Sequence, residues 1–422
     1  AAAAAAAAKR GTRRGQQRRV FSSSSTELVD ALRRSLVADV APLNLKRWTP
    51  SVAELRRELT FKPRGTMATP SKGEDPFALV RPEVAELVKG MRSLVSTDHP
   101  LLSAAATHFF DNRAAGKQFR GGLVLLASKA FCGQDQDDVI LPSQARLAEI
   151  VELIHLASLF HDDVVDASRT RRGVSSVNGK FGDKVAVLGG DFLLARACVA
   201  LARLRDNDVV ELMATIIEHL VRGELLQMRD LATDDDDPFE KYLTKNFYKT
   251  GSLIANGCRA AVMLGSRATA RRGGGGGSAR DGDRDDHNDD DDRSDAAFEY
   301  GRHVGLAFQL VDDVLDFSAD DATIGKPALN DLRQGLATAP TLLAAREFPE
   351  LEPLIQRKFR TPGDVDVALE IVLNSNGIQA TKDLALVQAE LAVDKLRLAI
   401  PEPTEPRLAL ERLAAKVVYR NH

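Results

Sequence analysis

The sequence predicts one all-α domain, and three observations carry that expectation. Aromatic residues make up only 5% of the 422, and the body of the chain is rich in Ala, Leu, Arg and Glu, which lose little on entering a helix. From Asp75 onward apolar residues recur at intervals of three and four. Leu147, Ile150, Val151, Ile154 and Ala157 form such a stripe, which Ser158 continues. The strand signature, β-branched residues alternating with polar ones, is nearly absent. Turn signals at Asp75-Pro76, Asp98-His99-Pro100, Gly133 and Pro142 mark helix boundaries. Roughly ten or more helices are expected, with no repeat of fixed period.

Charge is unevenly spread along the chain. Lys9, Arg10, Arg13, Arg14, Arg18 and Arg19 precede the first acid, Glu27, so residues 1–26 carry +6, and the net charge of −3 leaves −9 for the rest. An Ala run, an Arg-rich middle and Ser22 to Ser25 match an organellar transit peptide, mitochondrial or alternatively plastid, over residues 1–50. A disordered basic tail is the other reading. The near-neutral total offers no basic field for nucleic acid. The three cysteines, Cys132, Cys198 and Cys258, are too few and too widely spaced for a disulfide scaffold or a Cys-based zinc site. Each is expected as a small buried apolar residue. No run approaches ~18 uncharged apolar residues, so no membrane span is expected.

One stretch breaks the helical pattern. Residues 272–295 contain five consecutive glycines and then nine aspartates between 281 and 295. Without apolar residues to offset ordering entropy, it reads as a disordered insertion within a domain spanning 75–422. It lacks the hydrophobic flanks and terminal Glu of an EF-hand calcium loop.

The most informative segment is Leu159-Phe160-His161-Asp162-Asp163-Val164-Val165-Asp166. On a helix Asp162 and Asp166 share a face one turn apart, with Asp163 about 100° round. Three carboxylates crowded on an apolar helix repel one another unless a cation joins them. Hard oxygens at this spacing suit Mg²⁺, which keeps several waters and reaches a substrate phosphate. The pattern returns at Phe308-Gln309-Leu310-Val311-Asp312-Asp313-Val314-Leu315-Asp316. One such cluster is readily a solvated acidic face; two, each set among Leu, Val and Phe, point to a pair of helices clamping a diphosphate across a cavity. Basic groups flank both: Lys117 and Arg120 upstream, Arg169, Arg171 and Arg172 after the first cluster, Lys249 between, Lys326 after the second. Guanidinium forks suit phosphate oxygens, so a second anion held without metal is expected. Two diphosphates in one helical cavity imply prenyl transfer.

These residues resemble the trans-isoprenyl diphosphate synthases over about Asp75 to His422. The motifs are GKxxR (116–120), DDxxD and RRG (162–173), GGDFLL (189–194), GExxQ (223–227), KTxSL (249–253), FQxxDDxxDF (308–317), GKP (325–327) and DLxxG (331–335). The similarity is greatest to the long-chain branch, solanesyl and decaprenyl diphosphate synthases of organelles that make quinone side chains. The resemblance implies a helical bundle around a central cavity. It also implies Mg²⁺ held by Asp162 and Asp166 with Asp163 in support, and by Asp312 with Asp313 and Asp316 bonding metal-bound water or neighbouring groups. Isopentenyl diphosphate would meet Lys117, Arg120, His155 and Arg172, although His155 also reads as a core histidine. The allylic diphosphate, farnesyl or geranylgeranyl, would meet Arg171, Lys249 and Lys326. Thr250 and Gln309 would turn oxygen dipoles to the allylic cation, and Glu224 and Gln227 read as structural polar contacts. Two departures stand out. Gly121 replaces the family's usual Pro, suggesting a looser helix start, and Gly251 replaces Ala, suggesting flexibility beside Thr250.

The implied reaction is ionisation, condensation and elimination, repeated five carbons at a time. The product tail would grow along the first Asp helix past Ser158 and Ala157. An aromatic there would plug a close-packed tunnel, whereas these small residues leave it open, so a product of about C40 to C50 is expected. The competing readings are a terpene cyclase, a head-to-head synthase, a shorter-chain geranylgeranyl diphosphate synthase, and a non-catalytic or co-catalytic subunit of a heteromeric synthase. The second DDxxD and the Lys117, Arg120, His155 set disfavour the first two. Retention of all six aspartates disfavours a non-catalytic subunit. A homodimer, a heteromer with a related subunit, and peripheral membrane association for product release complete the expectations.

Overall fold

Helix boundaries fall largely on proline or a capping side chain. Pro142 opens the helix Pro142–Val165, and Pro238 opens Pro238–Asn246 behind Asp237, whose carboxylate accepts the Phe239 N–H. Thr404 caps Glu405–Val418 in the same way. The computed structural model describes residues 50–58, 60–70, 74–111, 118–132, 139–171, 173–228, 237–273, 284–318 and 329–420. The transit-type segment 1–49 and the candidate residues Lys117, Arg172 and Lys326 lie outside them.

The described elements, in chain order, are α1 (Val52–Glu58), α2 (Arg81–Leu94), α3 (Pro100–Asp111), α4 (Phe119–Cys132) and α5 (Pro142–Val165). A two-strand hairpin follows, β1 (Thr170–Arg171) paired antiparallel with β2 (Val174–Ser175). Then come α6 (Val177–Phe181), α7 (Asp183–Leu204), α8 (Asn207–Met228) and α9 (Pro238–Asn246), which runs into a π-helical turn, Phe247–Gly251. The rest are α10 (Ser252–Gly273), α11 (Arg284–Ser318), α12 (Asn330–Arg333), α13 (Ala339–Ala345), α14 (Glu352–Gln356), α15 (Asp364–Asn374), α16 (Gly377–Ala399) and α17 (Glu405–Val418). The all-α expectation holds.

Residues 51–422 form one compact unit. Its centre is α11, packed against α10 and α16, with α5 against α7 and α10 against α4. Glycine lets α11 come close to the π turn: a Cβ at Gly305 would lie 2.8 Å from the Gly251 Cα. Burial of Leu147, Ile150, Val151, Ile154 and Ala157 on α5 follows the expected stripe. A buried polar knot ties α1 in. Arg302 on α11 donates to Glu58 (2.7 Å) and Glu299 (2.7 Å), while Gln388 on α16 bonds Glu58 (3.1 Å) and His303 (2.7 Å). The unit therefore begins ahead of residue 75.

Four expectations are corrected. The aspartate-rich half of the expected loop 272–295 is helical from Arg284. Further along, Asp295 pairs with Arg259 on α10. Cys198 is exposed, whereas Cys132 and Cys258 are buried; burial alone pushes the Cys258 thiol up to about 12. The helix start at Gly121 is tight, not loose. Its N–H donates to Glu152 at 2.7 Å, and a Cβ would fall 2.5 Å from Leu87 Cδ1. Proline has no N–H to give that carboxylate. Gly251 is buried in the π turn beneath Gly305 rather than free to flex. By length and composition α7 could cross a membrane, yet it carries Asp191 and Arg196 and packs on α5 within the unit.

Candidate active site

Helix α5 presents the first acidic cluster at its C-terminal end. Asp166 is the C-cap, its N–H bonded to Asp162 O at 2.8 Å, and Ala167 at φ +50° turns the chain out of the helix. A left-handed alanine costs about 1 kcal/mol, a strain that the following hairpin holds in place. Asp162 is half-buried and Asp166 is exposed. Among the described residues neither carboxylate has a hydrogen-bond or ion-pair partner. Burial pushes the Asp162 carboxyl up to about 6; Lys249 and Arg171 oppose the rise, and Glu224 and Asp166 add to it. Burial raises Asp166 as well. Asp163 is different. It is buried and grips Arg171 through three contacts of 2.8–3.1 Å, Nε and Nη2 against both oxygens. Arg171 sits on the β hairpin, which is fixed in turn: Asn178 donates to Asp163 O at 2.8 Å and Ser176 Oγ to Ser168 O at 2.8 Å.

The π turn joins the first cluster to the second. Such turns shift the helical register by one residue and recur at functional sites. Lys249 Nζ reaches back to α8, donating to Glu224 (2.5 Å) and Gln227 (3.0 Å), and its charge acts on Asp162 and Asp166. The next residue, Thr250, faces the other way and donates to Gln309 Oε1 at 3.0 Å on α11. Gln309 Nε2 then donates to Asp313 at 2.9 Å. Consecutive residues of the π turn thus serve opposite sides: Lys249 places its charge near the first cluster, and Thr250 reaches the second through Gln309.

All three aspartates of the second cluster have protein partners. Asp313 is buried and accepts from the Tyr242 hydroxyl of α9 as well as from Gln309. Burial still pushes it up to about 6 against the pull of those two donors. Asp316 receives the N–H groups of Asn330 and Asp331, each at 3.1 Å, and so caps α12. Asp312, its side chain 44% exposed, accepts from Arg420 at 2.6 Å. Nearby, Arg120 at the start of α4 bonds His155 of α5 at 3.0 Å, and the adjacent Phe119 ring lies 5.3 Å from Phe308. Arg120 and His155 therefore sit together beside α11.

Magnesium fits the chemistry of this donor set. Among the described residues no three acidic, His or Cys side chains converge as a self-sufficient cage. Mg²⁺ needs none, taking one or two carboxylates and completing its shell with water and substrate phosphate. Asp162 and Asp166, hard oxygens one turn apart without protein partners, meet that requirement. Along the expected tunnel wall Ala157 is fully buried, and Ser158 folds its hydroxyl back onto His155 O at 2.9 Å, so neither projects bulk.

Two residues of the constellation escaped the sequence reading. Tyr242 lies seven positions before Lys249, but it turns to α11 whereas Lys249 turns to α8 beyond the π turn, so the spacing offered no signal. Arg420 carried none.

Comparison with known proteins points to one family. The profile of the polyprenyl synthetase family matches residues 99–372. The mitochondrial solanesyl-diphosphate synthase 1 of Oryza sativa subsp. japonica is 42% identical over 353 residues, spanning 81% of this chain and 76% of that protein. A probable mitochondrial hexaprenyl pyrophosphate synthase of Neurospora crassa is 42% identical over 393 residues, 82% of each chain. Among solved structures, a polyprenyl synthase from Caulobacter crescentus CB15 complexed with calcium and isoprenyl diphosphate superposes with a TM-score of 0.69. It is 31% identical over 84% of this chain and 100% of that one.

Proposed function

The chain belongs to the polyprenyl synthetase family, and on that premise we propose that it condenses isopentenyl diphosphate repeatedly onto an allylic diphosphate. The product is a long all-trans polyprenyl diphosphate for a quinone side chain. The observation that supports this reading is the π turn, whose neighbouring residues serve the two acidic helices: the Lys249 charge acts on Asp162 and Asp166, and Thr250 bonds Gln309, which bonds Asp313. Asp162, Asp166 and Asp312 are the direct metal ligands. Asp163, Asp313 and Asp316 support them, each through the partner it already holds.

When bound, magnesium neutralises charge on the departing diphosphate. The chain's own residues do the rest. Lys249 and Arg171 add fixed positive charge on the leaving-group side, preorganised by Glu224, Gln227 and Asp163. Thr250 and Gln309 turn their oxygens toward the cation that departure leaves. Arg120 and His155, with Lys117 and Arg172, hold isopentenyl diphosphate so that its terminal double bond faces that cation. The proton lost from C2 passes to the released diphosphate, and no protein base is needed.

Purified protein given farnesyl or geranylgeranyl diphosphate, radiolabelled isopentenyl diphosphate and Mg²⁺ should incorporate label, and chromatography should show a product of about C40 to C50. No incorporation by the protein alone would favour a subunit that needs a partner. Ala157→Phe or Ser158→Phe should shorten the product; unchanged length in both would remove the tunnel from beside α5.

A second copy of the chain covers α7 and α8, where Val187, Leu188, Val199, Val221, Leu225 and Met228 are exposed. A monomer in sedimentation at micromolar concentration would overturn that. The site of action is the mitochondrion, in keeping with the basic leader and the mitochondrial relatives. A cytosolic fusion of residues 1–50 would count against it.

A further inference from the structure

The segment following α17 brings a cation onto the second acidic cluster, where the proposed reaction leaves it without a role. Arg420 Nη2 donates to Asp312 Oδ1 at 2.6 Å and to the Phe308 carbonyl at 2.7 Å. Its guanidinium lies 3.8 Å from the centre of the Phe308 ring. Its Nε is buried without a hydrogen-bond partner. The backbone leading to it is tethered: Lys416 donates to Glu74 O at 3.2 Å, and the Tyr419 hydroxyl to Met67 O at 3.3 Å.

We propose that Arg420 is a displaceable counter-ion for Asp312, holding this carboxylate until a divalent cation takes the same oxygen. The proposal rests on Asp312 being a metal ligand. Without a cation, Asp312 and Asp313 stand side by side on an apolar helix and repel each other. Tyr242 and Gln309 satisfy Asp313, and Arg420 neutralises Asp312. A metal ion at Asp312 Oδ1 would lie within a few ångströms of the guanidinium, so the two positive charges exclude one another. One N–H of Arg420 is already unsatisfied, so its burial is not fully compensated. It is therefore the partner that yields, and its fork is then available to a diphosphate oxygen. Linkage makes the effect reciprocal: metal binding loosens the arm, and the docked arm weakens metal binding by the same factor.

The test uses the full chain carrying Asp162→Asn and Asp166→Asn, which leaves the second cluster to bind Mn²⁺ alone, read by calorimetry or by loss of the free-ion paramagnetic signal. Adding Arg420→Gln should tighten Mn²⁺ binding on the order of tenfold, the effect of removing one charge about 6 Å from a doubly charged ion at the dielectric of water. Arg420→Lys, which keeps the charge but not the fork, should tighten it less. Amide exchange of residues 416–420 should speed up when Mn²⁺ is added to the parent, and should not respond when Asp312→Asn is present. Unchanged or weaker Mn²⁺ binding in Arg420→Gln, while Asp312→Asn abolishes binding, would overturn the counter-ion and leave the metal ligand standing. Full Mn²⁺ binding in Asp312→Asn would overturn both.

Discussion

The two acidic clusters carry the same DDxxD spelling and occupy opposite physical states. On α5 the outer carboxylates, Asp162 and Asp166, have no protein partner among the described residues. Only the middle one, Asp163, is spent, on Arg171. On α11 every carboxylate is spent: Asp312 on Arg420, Asp313 on Tyr242 and Gln309, Asp316 on the first amides of α12. The first cluster is held in a state of electrostatic tension that a cation relieves. The second is already neutralised by the fold and must release something to receive one. Identical ligand spacing therefore does not mean identical readiness. The difference teaches where binding energy is stored: in unpaired charge on α5, in exchangeable contacts on α11.

The sharpest way to break this contrast is Asp162→Asn. Activity should fall at least about a thousandfold, as expected for loss of a charge-stabilising metal ligand. The same variant should melt about 1–3 °C higher in metal-free buffer at pH 7.5. The sign follows from its titration. The carboxyl is pushed up to about 6 from 3.8, so stability falls as pH rises through that window and stays lower above it. An asparagine escapes the loss. A variant both inactive and less stable than the parent would mean that Asp162 is tied into the fold after all.

The pH profile comes next and reads both clusters together, since Asp162 and Asp313 are each pushed up to about 6. Because Asp162 must be ionised to take a metal, apparent affinity for Mn²⁺ in the otherwise unaltered protein should drop about tenfold per pH unit below 6. A profile flat down to pH 5 would remove the unpaired carboxylate from the account.

Tyr242→Phe tests the second cluster. It deletes one donor to a buried carboxylate, which costs about 1–3 kcal/mol of stability. Activity should fall about ten- to thirtyfold with unfolding at a lower temperature, the opposite pairing to Asp162→Asn. The smallest effect belongs to Asp316→Ala. It removes the cap of α12, about 1 kcal/mol, and should leave turnover within about fivefold of the parent while lowering the melting temperature. A thousandfold loss there would move Asp316 from a helix cap to a metal ligand.

The helices and the site residues were legible in the chain to different depths. The α5 stripe and the DDxxD spacing are local: they follow from 3.6 residues per turn and need no tertiary partner. Arg120, His155, Thr250 and Gln309 were reachable through the motifs around them, and the structure brings both pairs into hydrogen-bond contact. Local reading failed where the outcome depends on packing. Glycine at 121 and 251 suggested looseness, because glycine is permissive in isolation. In the fold the same missing Cβ admits Leu87 and Gly305 into close contact and removes that freedom. The aspartate run after the five glycines suggested disorder by composition, whereas the chain is helical from Arg284 and joins α11, where Asp295 pairs with Arg259.

From its amino acids alone the chain determined an all-helical body, two acidic helices and the hard-oxygen chemistry they offer, since these depend on residue type and on separations of three and four. Only the tertiary structure decided which carboxylates remain open. The partners of Asp313 and Asp312 on the second helix stand 71 and 108 residues away along the chain. Their choice is made by how α9 and the end of α17 pack on α11. Charge pairing acts through space, and no periodicity along a single helix encodes it.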